Sequence, residues 1–83
     1  MYKKLIESYV NKLTITDIKN FTLNQKISIS DKDIDTIFFY IKNYWQIIYE
    51  KDPTLIFNDI KTKVEPNTYN IIIEYYNNYK NRI

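Results

Sequence analysis

Glycine, alanine, cysteine and histidine are all missing from the 83 residues, and arginine occurs once. Each absence excludes something. Without cysteine there is no disulfide framework, no thiolate nucleophile and no cysteine-ligated zinc. Without histidine the commonest general acid–base side chain is gone. The acids Glu7, Asp17, Asp59 and Glu74 stand alone in sequence rather than paired. Without glycine no Gly-rich loop can cradle a phosphate, and every turn must be made by Asn, Asp, Ser or Pro. Without alanine the core must be assembled from Ile, Leu, Val, Phe and Tyr. Long apolar runs are missing too. Ile37 to Ile41 and Ile71 to Ile73 fall far short of the ~20 residues of a membrane span. No apolar stretch near Met1 has the length of a secretory signal core. The expectation is a cytoplasmic protein with no membrane contact, cofactor, metal or catalytic residue.

What is present is skewed. Sixteen Ile, eleven Lys, ten Asn and nine Tyr make up 46 of the 83 residues. These types have AT-rich codons, whereas Gly, Ala, Pro and Arg have GC-rich ones. The skew therefore reads as genomic background, and an Asn or Tyr here carries less functional information than elsewhere. The chain is the size of one small domain, burying only about 60% of its unfolded surface. Apolar residues at 45% suffice for a core, so disorder is not expected. The net charge is +2, and no run of basic residues exceeds two. A nucleic-acid binder concentrates charge on one face or arm and favours Arg for bidentate contacts. Nucleic acid is therefore the disfavoured partner.

Periodicity predicts helices throughout. Leu5, Ile6, Tyr9, Val10 and Leu13 recur at helical spacing. Thr14 followed by Asp17 is a capping signal for a second helix to about Asn24, carrying Ile18, Phe21 and Leu23. Gln25 to Ser30 reads as an extended connector with two apolar pegs, Ile27 and Ile29. Ser30-Asp31-Lys32-Asp33 is a strong helix start, with early acids at the positive end of the dipole. The stripe Ile34, Ile37, Phe38, Ile41 follows. Beyond it two readings stand: one helix to Tyr49, or an end at Asn43 and a strand-like Tyr44 to Tyr49. Asp52-Pro53 starts another helix, with Asp as N-cap and Pro at N1, through Leu55, Ile56, Ile60 and Val64. Glu65-Pro66 breaks it and opens the last, with Tyr69, Ile72, Ile73, Tyr76 and Ile83 on one side. The fold expected is all-α: a compact single domain, residues 1–83, of four to five short amphipathic helices.

Two patterns imitate chemistry. Asp31, Asp33 and Asp35 resemble the opening of a calcium loop. Thr36 and Lys42 stand where that loop needs Gly and Glu, so the acids read as a helix N-terminus. Tyr75, Tyr76 and Tyr79 near Lys80 and Arg82 could stack bases beside phosphates, but with this codon bias an aromatic terminal helix packing on the core or on another chain is the favoured reading. The informative surplus is apolar. Phe39 and Tyr40 lie beyond the stripe of their helix, and Ile71 and Tyr75 beyond theirs. Trp45, the one Trp, is an interface anchor if exposed. Phe39, Tyr40, Trp45, Ile71, Tyr75 and Tyr79 are thus the expected interface, toward a protein partner or a second copy.

The order of signals resembles domain-of-unknown-function family 2624, short proteins of low-GC Gram-positive bacteria. Ile15-Thr16-Asp17-Ile18-Lys19, Ile27-Ser28-Ile29-Ser30, Lys42-Asn43 and Glu65-Pro66-Asn67 sit at its matching places. Those places hold an Ile-Thr-x-x-Glu-Leu-Leu-type second helix, an Ile-x-Leu/Ile-Thr/Ser element, a Lys-Asn-x-x-Ile segment and a Ser-Pro-Glu start. The likeness would span nearly the whole chain. Glu65 replaces the usual Ser, and Tyr44-Trp45-Gln46-Ile47 is unusually bulky. The resemblance implies a small helical bacterial protein of uncharacterised function. It supplies no catalytic residue, and it favours an end of the third helix near Asn43.

Overall fold

The computed structural model describes residues 2–81. Arg82 and Ile83, which the sequence assigns to the last helix, lie outside the described residues, as does Met1. Five helices follow one another: α1 (Tyr2–Lys12), α2 (Ile15–Asn24), α3 (Asp31–Glu50), α4 (Thr54–Lys61) and α5 (Pro66–Asn81). No strand occurs among the described residues. The radius of gyration is 12.4 Å, close to the about 12 Å of a compact chain this long. The all-α, single-domain expectation is met.

The helix starts are where local chemistry puts them. Thr14 Oγ1 accepts the Asp17 amide at 3.1 Å and Asp17 Oδ2 accepts the Thr14 amide at 3.0 Å, a reciprocal capping box. Ser30 Oγ accepts the Asp33 amide at 3.2 Å. Asp52 Oδ1 accepts both the amide (3.0 Å) and the hydroxyl (2.6 Å) of Thr54, so α4 begins one residue later than Pro53. It ends at Lys61 rather than Val64. A turn carries the chain on, with the Val64 amide donating to Ile60 O at 3.1 Å. At the end of α2 the absence of glycine shows. Lys26 adopts φ 57°, and the Lys26 and Ile27 amides donate back to Leu23 O and Thr22 O. This is a Schellman end with lysine in the position that favours glycine.

Helix α3 corrects the expected end at Asn43. It runs unbroken for 20 residues, about 30 Å, nearly the 33 Å length of the molecule. Asn43 does not stop it, because its side-chain amide folds back to Phe39 O at 2.8 Å. Tyr44 and Ile48 beyond it pack on the core. Both are partly buried there, and even a fraction of the ~1.5–3 kcal/mol of a fully buried apolar side chain, taken twice, exceeds the few tenths that separate Asn from a good helix former.

Helix α3 is the spine, contacted by α1, α2 and α4, while α5 packs its backbone on α4. Lys42 of α3 donates to Val10 O (2.8 Å) and Asn11 O (3.0 Å), closing the C-terminus of α1. Surface pairs Lys3–Glu50 (3.2 Å) and Lys19–Asp31 (3.7 Å) add at most ~1 kcal/mol each.

The core is off-centre. Tyr40, Phe57, Ile60 and Val64 form one buried cluster, with Ile72, Ile73 and Tyr76 of α5 packed against it. Toward α1 and α2, only Val10, Ile18 and Ile34 are buried among the described apolar side chains. That half of the molecule is left open.

Candidate functional site

The opening is an apolar groove of about 780 Å³. Helix α3 supplies its floor through Ile37 and Ile41. Tyr9 of α1, Leu13 just after it, and Ile18 and Phe21 of α2 line one side, and Ile71, Ile72 and Tyr75 of α5 the other. Ile27 and Ile29 of the connector line it as well. Ile37, Ile41, Ile71 and Ile72 are only half-buried. The groove exists because α5 leans on α4 rather than on α2.

One clasp crosses it. The Phe21 and Tyr75 rings meet edge to face, 5.5 Å between centroids. The Tyr75 hydroxyl lies 3.3 Å from Gln25 Oε1 at the end of α2 and donates to it. The polar lining is sparse: Lys12 and Asp17 are exposed, with Asn20 and Asn24 beside them. Groove volume and lining match those of ligand and peptide sites in helical proteins.

The six expected interface residues divide. Ile71 and Tyr75 lie in the groove. Phe39 is 51% and Tyr79 41% exposed, but neither lines it. The Phe39 ring rests against Tyr40 and Tyr44. Tyr79 sits 6.3 Å from Tyr49, centroid to centroid, and burial, then Tyr49, raises its hydroxyl pKa above the ordinary value. Trp45 is half-buried on α3, outside the groove.

Tyr40 is corrected outright: it is 3% exposed and belongs to the core. Its ring is buried by α4 and its hydroxyl donates a short hydrogen bond to Asp59. That bond holds the Asp59 carboxyl below its usual range against desolvation, with help from the Lys63 ammonium 3.6 Å away. Lys63 is raised in turn by Tyr40 first and then Asp59, with its Nζ 5.5 Å from the Tyr40 ring centroid. None of the three lines the groove.

Tyr9, Leu13, Ile18, Phe21 and the floor isoleucines were not among the expected interface residues. The two pegs Ile27 and Ile29, apolar with no helix of their own to bury them, were the available signal. The triple-Asp series separates: Asp31 pairs with Lys19, whereas Asp33 turns to the start of α5. No helix among the described residues is long and apolar enough to cross a membrane. No protein-family model, curated protein or solved structure matches the chain.

Proposed function

We propose that this chain is a non-enzymatic helical module of the cytoplasm that acts by protein–protein contact, with the α2–α5 groove as the contact surface. The observation that carries this is the half-buried isoleucine floor left open between two walls. Burying an exposed isoleucine completely is worth ~1.5–3 kcal/mol, and a half-buried one still has part of that to gain, so a chain of marginal stability gains by having these covered. Apolar surface of this kind, edged by a few polar groups, marks contact sites. The lack of His and Cys supports a binding role over catalysis. The order of helix starts that resembles domain-of-unknown-function family 2624 is compatible with this reading and adds no site residue to it.

A photo-crosslinking amino acid placed at Tyr75, and separately at Leu55, tests it in cells. Leu55 is 81% exposed on α4 and does not line the groove. Protein adducts are expected from position 75 and not from position 55. No adduct at 75, or equal adducts at both, would refute the groove.

A further inference from the structure

We infer that the occupant of the groove is a second copy of this chain, related by a two-fold axis. This rests on the reading of the groove as a contact surface and goes on to name what covers it. A two-fold contact uses the same face twice, so that face must carry both a hollow and the projections that fill it. This face does. Beside the half-buried floor stands Tyr9 of α1, 75% exposed at the groove edge, with Leu5 one turn earlier at 64%. Residues four apart lie on one side of a helix, so Leu5 and Tyr9 form a proud apolar ridge along a hollow of matching chemistry.

The edge charges point the same way. Lys12 and Asp17 are both exposed in the groove lining, close in sequence and opposite in sign. A uniformly acidic or basic partner would match one and oppose the other. A two-fold copy sets Lys12 of each chain against Asp17 of the other, and the match is made twice. Asp17 is available for this, because its capping bond uses Oδ2 and leaves Oδ1. A net charge of +2 gives two copies little long-range repulsion.

The test is sedimentation equilibrium of the full chain, with the variants K12D and D17K. The wild type is expected to be dimeric by about 100 µM, and each variant alone to dissociate ~10-fold or more readily, since like charges then face each other twice. Mixing the two variants in equal amounts restores both pairs, so a heterodimer of near wild-type affinity is expected. A structural weakening of either variant would not give this rescue. Because D17K removes a capping acceptor, D17N, which keeps an oxygen there, is run beside it and should weaken dimerisation less than D17K. A wild type that stays monomeric at ~500 µM, variants that dimerise as well as the wild type, or a mixture that stays monomeric while helical circular dichroism is intact would each overturn the inference. A monomeric wild type whose position 75 still crosslinks to a different protein would sink the second copy and leave the groove reading standing. No adduct and no dimer would sink both.

Discussion

Asp33 Oδ2 accepts the Thr68 hydroxyl at 2.7 Å across 35 positions of sequence, and both residues are 2% exposed. The same oxygen accepts the Glu65 amide at 3.1 Å. Glu65 precedes α5, so a carboxylate from the first turn of α3 caps the N-terminus of a helix two elements later. The helix macrodipole of α5 favours the charge there as well. This joint fixes where α5 starts, and hence the far wall of the groove.

Asp33→Ala should therefore cost about 2–4 kcal/mol, since it strands two donors in a buried site. Thr68→Val should cost about 1 kcal/mol. The double variant should lose less than the sum, because the two share one bond. Urea unfolding of the four proteins measures this. Additive losses would show that the bond contributes nothing of its own.

Lys26→Gly should stabilise the protein by about 1 kcal/mol. A non-glycine residue in the left-handed region costs about 1–2 kcal/mol, and glycine gives back part of that gain as lost chain freedom. For a domain of this size the melting temperature should rise by roughly 4–8 °C. An unchanged or lower melting temperature would mean that the lysine side chain compensates for its backbone.

These two sites also show what the sequence could and could not convey. Thr14, Ser30, Asp52 and Pro66 act on the three or four residues after them, so their helix starts are legible from neighbours alone. Asn43 misleads because its local preference is outweighed by the burial of Tyr44 and Ile48, which depends on α4 and α5 being in place. Asp33 reads as an ordinary helix-start acid, since its partner is 35 residues away. Tyr40 looks surplus until α4 covers it. Helical spacing puts Ile37 and Ile41 on one apolar stripe of α3 and leaves Ile71 beyond the stripe of the last helix. It does not show that α5 settles on α4 and leaves these residues half-covered, so of the groove only the pegs Ile27 and Ile29 were legible.

Acid should weaken the fold in part through Asp59 and Asp52. Both carboxyls sit below their ordinary value of 3.8, Asp59 chiefly through the Tyr40 hydroxyl and Asp52 through the Thr54 hydroxyl and amide. A carboxyl whose pKa is depressed by folding stabilises the fold above its unfolded pKa. That contribution is lost as pH falls through the folded value. Stability measured by urea should thus be flat near neutrality and decline once pH drops below about 4. Tyr40→Phe should lower stability at neutral pH and flatten the acid decline, because Asp59 then titrates nearer its ordinary value. An acid decline as steep in Tyr40→Phe as in the wild type would assign it to other carboxylates.

The Phe21–Tyr75 clasp sets the width of the groove, because α2 and α5 have little other contact. An edge-to-face aromatic pair is worth about 0.5–1.5 kcal/mol beyond its area, and both rings are partly exposed, which favours the lower end. Phe21→Ala and Tyr75→Ala should each destabilise the chain, and a double-mutant cycle should return a coupling of about 0.5 kcal/mol. Gln25→Ala, which removes only the acceptor of the 3.3 Å hydroxyl bond, should change stability by less than about 0.5 kcal/mol. Either aromatic variant should also weaken whatever occupies the groove by more than its effect on folding, since the rings shape the surface as well as joining the walls. Equal losses in folding and in association would mean that the clasp holds α5 in place and contributes nothing to the contact itself.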